Sequence, residues 1–497
     1  MNHWLILPLL VPLLVGGLLI AGYRTQERTK RVLSLMSCLA LVGIAGYLLV
    51  QSFDGQLRSY HLGGWAAPFG ISLLLDRLSA ALLLLTAVLG AVVVVYASRG
   101  EDSHAPNLHA LLQFQLLGIN GAFLTADLFN LFVFFEILLI ASYALLVYGN
   151  HAQRVRAGIG YVLLNLLGSS LFLLGIGILY GLLGSLNMAE LGVRIAQADP
   201  AHGPLLKAAG FCLLLVFGLK AAVLPLGFWL PNTYAVASAP VAALFAIMTK
   251  VGLYAMLRVF SLLYGEQAGD LAGFIEPWLF AFGLVTLLVA TLGALAAKSL
   301  QSLIGYLVLI SVGTLLSGIS VASAPALSAS LYYLLHSTLA VAAMFLLADI
   351  FASQRGAQGT ALVFGLKPKQ PLMMGSLFFL GAIALAGLPP LAGFFGKVLL
   401  LQAALSKEGG WLLWPVLLIA TLCVVVSLTR AGSCLLWRAE GQSEAQIDPA
   451  KLSCVAVLLL AVLGLVIFAE PVFEFLQACA TQLLHSELYL ATARSGQ

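Results

Sequence analysis

Five ionisable side chains lie inside stretches that are otherwise apolar: Glu136, Lys220, Lys250, His336 and Lys397. An ionisable group at membrane depth is expensive, and such groups mark ion and proton pathways. Two of the lysines fall in Phe217–Arg258, FGLKAAVLPLGFWLPNTYAVASAPVAALFAIMTKVGLYAMLR. Pro225 and Pro231 interrupt the first helix of that stretch. A proline lacks the N–H its helix needs, and its ring crowds the carbonyl four residues earlier. Pro225 thus frees the Ala221 carbonyl beside Lys220. The second break, GLPPLAGFFGK, sets Pro389 and Pro390 just before Lys397. Broken backbone at this depth is tolerated only where protein or a water-filled cavity surrounds it.

Each charge also has a plainer reading. Glu136 lies in DLFNLFVFFEILLIASYALL and needs either a proton or a cationic partner. A protonated glutamic acid bonding a neighbouring helix is the bland alternative to pairing with Lys220. Burial disfavours an ammonium and a nearby carboxylate favours it, so a lysine held between those influences can exchange a proton. The competing role for Lys220, Lys250 and Lys397 is a static ion pair or a snorkelling side chain. His336 is either a packing residue or, because imidazole titrates near neutrality, a stepping stone between distant lysines. Thr249 and Ser311 are auxiliary candidates for holding connecting water, as are Thr338 and Tyr306. Lys298, near a span end, reads as an anchor ahead of a relay member. Arg258 reads as a snorkeller and Asp127 as a helix cap.

The chemistry-bearing residues require a membrane scaffold. Of 497 residues, 61% are hydrophobic and 9% charged, against roughly 25% charged in soluble domains. The composition predicts an all-α polytopic membrane protein with one membrane domain over 1–497. It has about fourteen transmembrane helices, at roughly twenty apolar residues per crossing. The first segment, MNHWLILPLLVPLLVGGLLIAGY, reads as a span and not as a cleaved leader. The fifth span is expected near 128–148, the seventh near 207–230, the eighth near 238–263, the eleventh near 326–350 and the twelfth near 371–405. The tail from Pro471 reads as an interfacial helix. Spans seven and twelve carry the breaks, and five is an odd offset. Two inverted five-helix repeats follow, about 108–263 and 272–436, flanked by spans over 4–97 and 452–470. Arginine and lysine crowd the connections after the first, fifth, eleventh and thirteenth spans. Both termini are therefore expected on the non-cytoplasmic side.

Several classes are excluded by what is missing. There is no Walker loop, GxSxG elbow or HExxH motif, so the chain does not read as an enzyme. The six cysteines are scattered, without metal-ligand spacing, and imply no metal site and no cofactor. The net charge of +4 comes from loop residues and suggests no nucleic-acid partner.

KAAVLPLGFWLPNTY, SAPVAALFAIMTKVGLYAMLR, DLFNLFVFFEILLIASYALL and GLPPLAGFFGK together resemble the antiporter-like subunits shared by respiratory complex I and the multisubunit Mrp cation/proton antiporters. TKVGLYAMLR and YLVLISVGTLLSG are most similar to the D subunits of Mrp (Pha or Mnh) systems. The resemblance covers essentially the whole chain. It implies a proton-translocating subunit of a Na+ or K+/H+ antiporter in a bacterial inner membrane, driven by the proton motive force and working with other subunits. It also implies an ion pair between Glu136 and Lys220, a central relay at Lys250, a link at His336 and a terminal lysine at Lys397. Complex I subunits often carry histidine and acidic residues where this chain has Gly227, Asn232 and Tyr234. Many relatives also carry a lysine where Ser337–Phe345 has none, which leaves water to span from His336 to Lys397. The alternative is a proton-pumping membrane subunit of a redox complex, of complex I or membrane-bound hydrogenase type. A scaffold with static charge pairs is the third reading.

Overall fold

Apolar segments with internally bonded backbone form helices wherever they are long enough, and helices carry most of the chain. The structure, a computed structural model, describes residues 3–65, 70–149, 151–438 and 441–494. The first half runs α1 (Leu7–Ala21), α2 (Glu27–Ser52), α3 (Arg77–Ala97), α4 (Leu108–Leu124), α5 (Leu128–Val147), α6 (Ala152–Leu183), α7 (Met188–Ala196), α8 (Gly203–Ala221), α9 (Trp229–Val236), α10 (Ala239–Phe245) and α11 (Met248–Leu263). The second half runs α12 (Glu276–Ala296), α13 (Leu300–Ile319), α14 (Ala324–Arg355), α15 (Pro371–Ala386), α16 (Ala392–Ala404), α17 (Leu413–Gly432), α18 (Pro449–Ile467), α19 (Ala469–Leu484) and α20 (Ser486–Arg494). Among the described residues, eleven helical segments are long and apolar enough to cross a membrane, and α1, α4, α15 and α16 are shorter apolar helices. The chain is a multi-pass membrane protein.

Contacts between connections define two ends of the bundle. At one end, here the loop face, Arg31 pairs with Asp102, Arg99 with Asp448 and Lys451 with Asp349. At the other, the terminal face, Tyr489 bonds Asp76, Asn187 bonds Ser72 and Gln482 bonds Gly55. The α10–α11 segment is wholly enclosed by its neighbours, whereas α18 turns most of its surface outward.

The fold is all-α as expected, with one small antiparallel hairpin of β1 (Arg58–His61) and β2 (Ser72–Leu75) in register Arg58↔Leu75. Two expectations need correction. The seventh span breaks earlier and runs further than 207–230. Helix α8 stops at Ala221, and α9 begins at Trp229 and continues to Val236. Pro225 lies in the break, but Pro231 sits in the first turn of α9, where its missing N–H is not needed. Nor does Arg258 snorkel. It is only 2% exposed, and its Nη2 lies 2.6 Å from the Asp76 carboxylate, a partner too distant in sequence to see. The tail also has a protein-facing side: α19 lies against α14 and buries Leu476, Cys479, Ala480 and Leu483. The α15–α16 interruption falls at Pro389 and Pro390 as expected, and Asp127 caps α5 by accepting from the Asn130 N–H at 2.8 Å.

Candidate functional site

The two proline breaks share a construction. Helix α8 ends on Ala222 in the left-handed region (φ +60°), and a cis Leu224–Pro225 bond follows. Helix α15 ends on Gly387 (φ +71°), and a cis Pro389–Pro390 bond follows. The last carbonyls of a helix have no intrahelical partner and carry its negative dipole end, which favours a cation. Both lysines lie at such an end. Lys220 occupies the last turn of α8. Lys397, on α16, donates to the Ala386 carbonyl that ends α15, at 2.9 Å, and to Thr421 Oγ1 at 3.0 Å.

Around Lys220 the geometry differs from a closed ion pair. Its Nζ lies 3.5 Å from the Asn165 carbonyl and 5.9 Å from the centre of the Phe135 ring. Glu136 is half-buried and accepts from Ser169 Oγ. That hydroxyl also lies 3.0 Å from the same Asn165 carbonyl. A serine has one proton to give, so Ser169 can serve Glu136 or Asn165 but not both at once. Asn165 and Ser169, one turn apart on α6, therefore stand between the carboxylate and the ammonium. Sequence reading missed them. Their only trace is a polar pair at i, i+4 in an apolar segment.

Lys250 sits at a third, proline-free interruption. Between α10 and α11 the backbone bonds tighten to i→i−3 at Ala246, Ile247 and Lys250. Its side chain is fully buried, and Nζ donates to Ser311 Oγ at 2.9 Å and Thr249 Oγ1 at 3.3 Å. No carboxylate pairs with it among the described residues. One turn of α11 lies directly on the end of α8. A Cβ on Gly252 would come within 2.6 Å of the Ala221 nitrogen, so only glycine permits this approach. The helix end bearing Lys220 and the helix start bearing Lys250 thus touch.

His336, on α14, donates from Nε2 to the Ala384 carbonyl at 3.0 Å. That bond fixes the ring tautomer with hydrogen on Nε2. The close passage of α16 depends on Gly393, where a Cβ would fall 2.7 Å from both His336 Nε2 and the Ala384 oxygen. Lys298 is exposed at the loop face and is not brought to these groups. Thr338 spends its hydroxyl on the Leu334 carbonyl. The assembled set is three buried lysines and one histidine, each met by neutral oxygens. Such groups can hold a proton or pass it on through water.

Known proteins share this architecture. The family described as NADH:quinone oxidoreductase/Mrp antiporter, TM, matches residues 125–423. The D subunit of a probable K(+)/H(+) antiporter from Rhizobium meliloti (strain 1021) is 36% identical, covering 100% of this chain and 99% of the relative. The D subunit of the Na(+)/H(+) antiporter from Bacillus subtilis (strain 168) is 35% identical, with 99% of both chains covered. Among solved structures, a chain of the Mrp complex from Dietzia sp. DQ12-45-1b superposes with a TM-score of 0.89 at 24% identity, over 99% of this chain and 100% of that one. A matched segment that includes both breaks and Lys220, Lys250 and Lys397, together with relatives aligned end to end, means that this chain belongs to the NADH:quinone oxidoreductase/Mrp antiporter transmembrane family.

Proposed function

We infer that this chain is the proton-translocating subunit of a multisubunit Na+ or K+/H+ antiporter, driven by the proton motive force, and not an enzyme. The observation that carries the reading is the uncompensated ammonium of Lys250, fully enclosed beside the α8 end that bears Lys220. A static scaffold gains nothing from a buried charge without a counterion, whereas a relay needs a group that can lose its proton. Relatives that are D subunits of cation/proton antiporters, matched over their full length, support the assignment.

In this reading protons pass along Lys220, Lys250, His336 and Lys397. Glu136 and Ser169 govern the first step, while Thr249 and Ser311 hold Lys250. The repeats, about 108–263 and 272–436, rest on the matching left-handed caps at Ala222 and Gly387. Joining α8 to α9, α10 to α11 and α15 to α16 gives fourteen crossings. The Arg- and Lys-rich loop face is then cytoplasmic, both termini lie outside, and the membrane is a bacterial inner membrane. Other subunits of the antiporter cover part of the apolar outer surface.

The test is cation-induced collapse of ΔpH in everted vesicles containing the whole assembly, comparing wild type with Glu136→Gln and Lys250→Ala at equal complex abundance. Collapse by sodium or potassium in wild type and its loss in both variants is the expected result. Proton movement that needs an electron donor would transfer the chain to the redox-complex class. Normal transport by both variants would end the relay reading.

A further inference from the structure

Where α11 reaches the terminal face, a cavity of about 40 Å³ opens between the β-hairpin, the start of α5, α7 and α20. Its rim includes exposed Ser59, and its wall includes Arg258, His61, Tyr254 and Tyr489. Arg258 there is almost wholly buried. Nη2 is held by Asp76 at 2.6 Å and Nε reaches Tyr254 Oη at 3.3 Å, while Nη1 has no hydrogen-bond partner among the described residues. The same is true of His61 Nδ1. Leaving a buried guanidinium N–H unsatisfied is costly, so this corner of the wall favours a small polar occupant. At roughly 10–15 Å³ per water on this measure, the cavity has room for a few water molecules and none for a hydrated alkali cation. The Asp76 carboxylate, which also accepts from Tyr489 Oη at 2.5 Å, neutralises the guanidinium, so the wall does not repel a passing proton as a lone arginine would.

Lys250, Tyr254 and Arg258 follow one another at i, i+4 and i+8. They share a face of α11, with about 6 Å of rise between neighbours. The cavity therefore lies at the end of the helix face that starts from the uncompensated lysine. We propose that this cavity is a hydrated port, taking water and the protons it carries but not alkali cations, that links the terminal face to Lys250 along α11. The port rests on the proton-translocation reading above, and adds to it an opening in the first half of the chain, remote from Lys397.

The experiment uses the intact antiporter assembly. Met188 lines the cavity and is 1% exposed, so oxidation of its sulfur by hydroxyl radicals generated from water reports water inside. Ala189, also lining the cavity, is replaced to fill it. The expected result is ready oxidation of Met188 in wild type, and a several-fold loss of both that oxidation and cation-driven proton movement in Ala189→Leu at unchanged complex abundance. Ala126→Val, also lining the cavity, gives the same readings should the leucine variant fail to assemble. Two results overturn the port: Met188 protected in the wild-type assembly, or a filled cavity that blocks oxidation while transport continues at the wild-type rate. Should wild-type vesicles show no cation-linked proton movement, the antiporter reading fails, and the oxidation of Met188 still decides whether the cavity is wet.

Discussion

His336 and Lys397 bond to carbonyl groups two residues apart at the end of one half-helix: Nε2 of His336 at Ala384, 3.0 Å, and Nζ of Lys397 at Ala386, 2.9 Å. The absence of a lysine in Ser337–Phe345 left the route between them open to water alone. The last turn of α15 instead brings both groups to one patch of carbonyls, which shortens the water bridge that the proposed route needs between them.

Gly393→Ala tests that patch. The added methyl would meet both the His336 ring and the Ala384 oxygen at 2.7 Å, so one must shift. Overpacking of this kind costs about 1–3 kcal/mol. The expected outcome is a modestly lower melting temperature of the assembly and a loss of ΔpH collapse out of proportion to it.

Ser169→Ala and Glu136→Gln should not act independently. If the serine hydroxyl couples the carboxylate to the Asn165 carbonyl beside Lys220, each single variant slows transport, and the double variant is hardly worse than Glu136→Gln alone. Rates of cation-driven proton movement arranged as a double-mutant cycle give the answer, because coupled residues are non-additive.

Ser311→Ala removes the shorter of the two bonds to Lys250 Nζ. Stranding a buried donor costs about 1–3 kcal/mol. A several-fold drop in transport is expected, with Ser311→Thr retaining more activity than Ser311→Ala because it keeps the hydroxyl.

Arg258→Gln leaves the Asp76 carboxylate buried without its cation, a loss of about 3–5 kcal/mol for a buried pair. Complex abundance in the membrane should fall sharply. Adding Asp76→Asn should restore much of it, since both charges are then gone.

At the loop face, burial acts to raise the Asp102 pKa, but the Arg31 guanidinium, bonded at 2.5 and 2.8 Å, and His109 hold it below the usual carboxylate value. A carboxyl group lowered in the folded state contributes stability that is present above its unfolded value and is lost as pH falls through the folded one. The loss of melting temperature in Asp102→Asn should therefore be constant from about pH 8 to about pH 5 and shrink only below about pH 4.

The sequence disclosed what periodic chemistry can disclose. Lysines in apolar runs and a double proline exposed the breaks at Lys220 and Lys397. The break ahead of Lys250 was hidden because Ala246–Thr249 contains neither proline nor glycine; tertiary packing, not local propensity, tightens that turn. Pro231 misled because the same residue that ends one helix is welcome in the first turn of another. Arg258 was misread because its partner Asp76 caps another helix, far away in sequence. Asn165, Ser169 and Thr421 are ordinary residues for a helix contact, and only their bonds to Glu136, Lys220 and Lys397 single them out.

The lone ammonium of Lys250 has an electrical consequence. Its residue is the twelfth of the twenty-five in Ala239–Leu263, close to halfway across. A unit charge crossing the whole membrane changes energy by about 2.3 kcal/mol per 100 mV, so one halfway across changes by about 1.2 kcal/mol. That corresponds to roughly a sevenfold shift in the ratio of protonated to neutral lysine. With no counterion moving alongside to cancel the term, the voltage itself would load and unload this site in the relay proposed above.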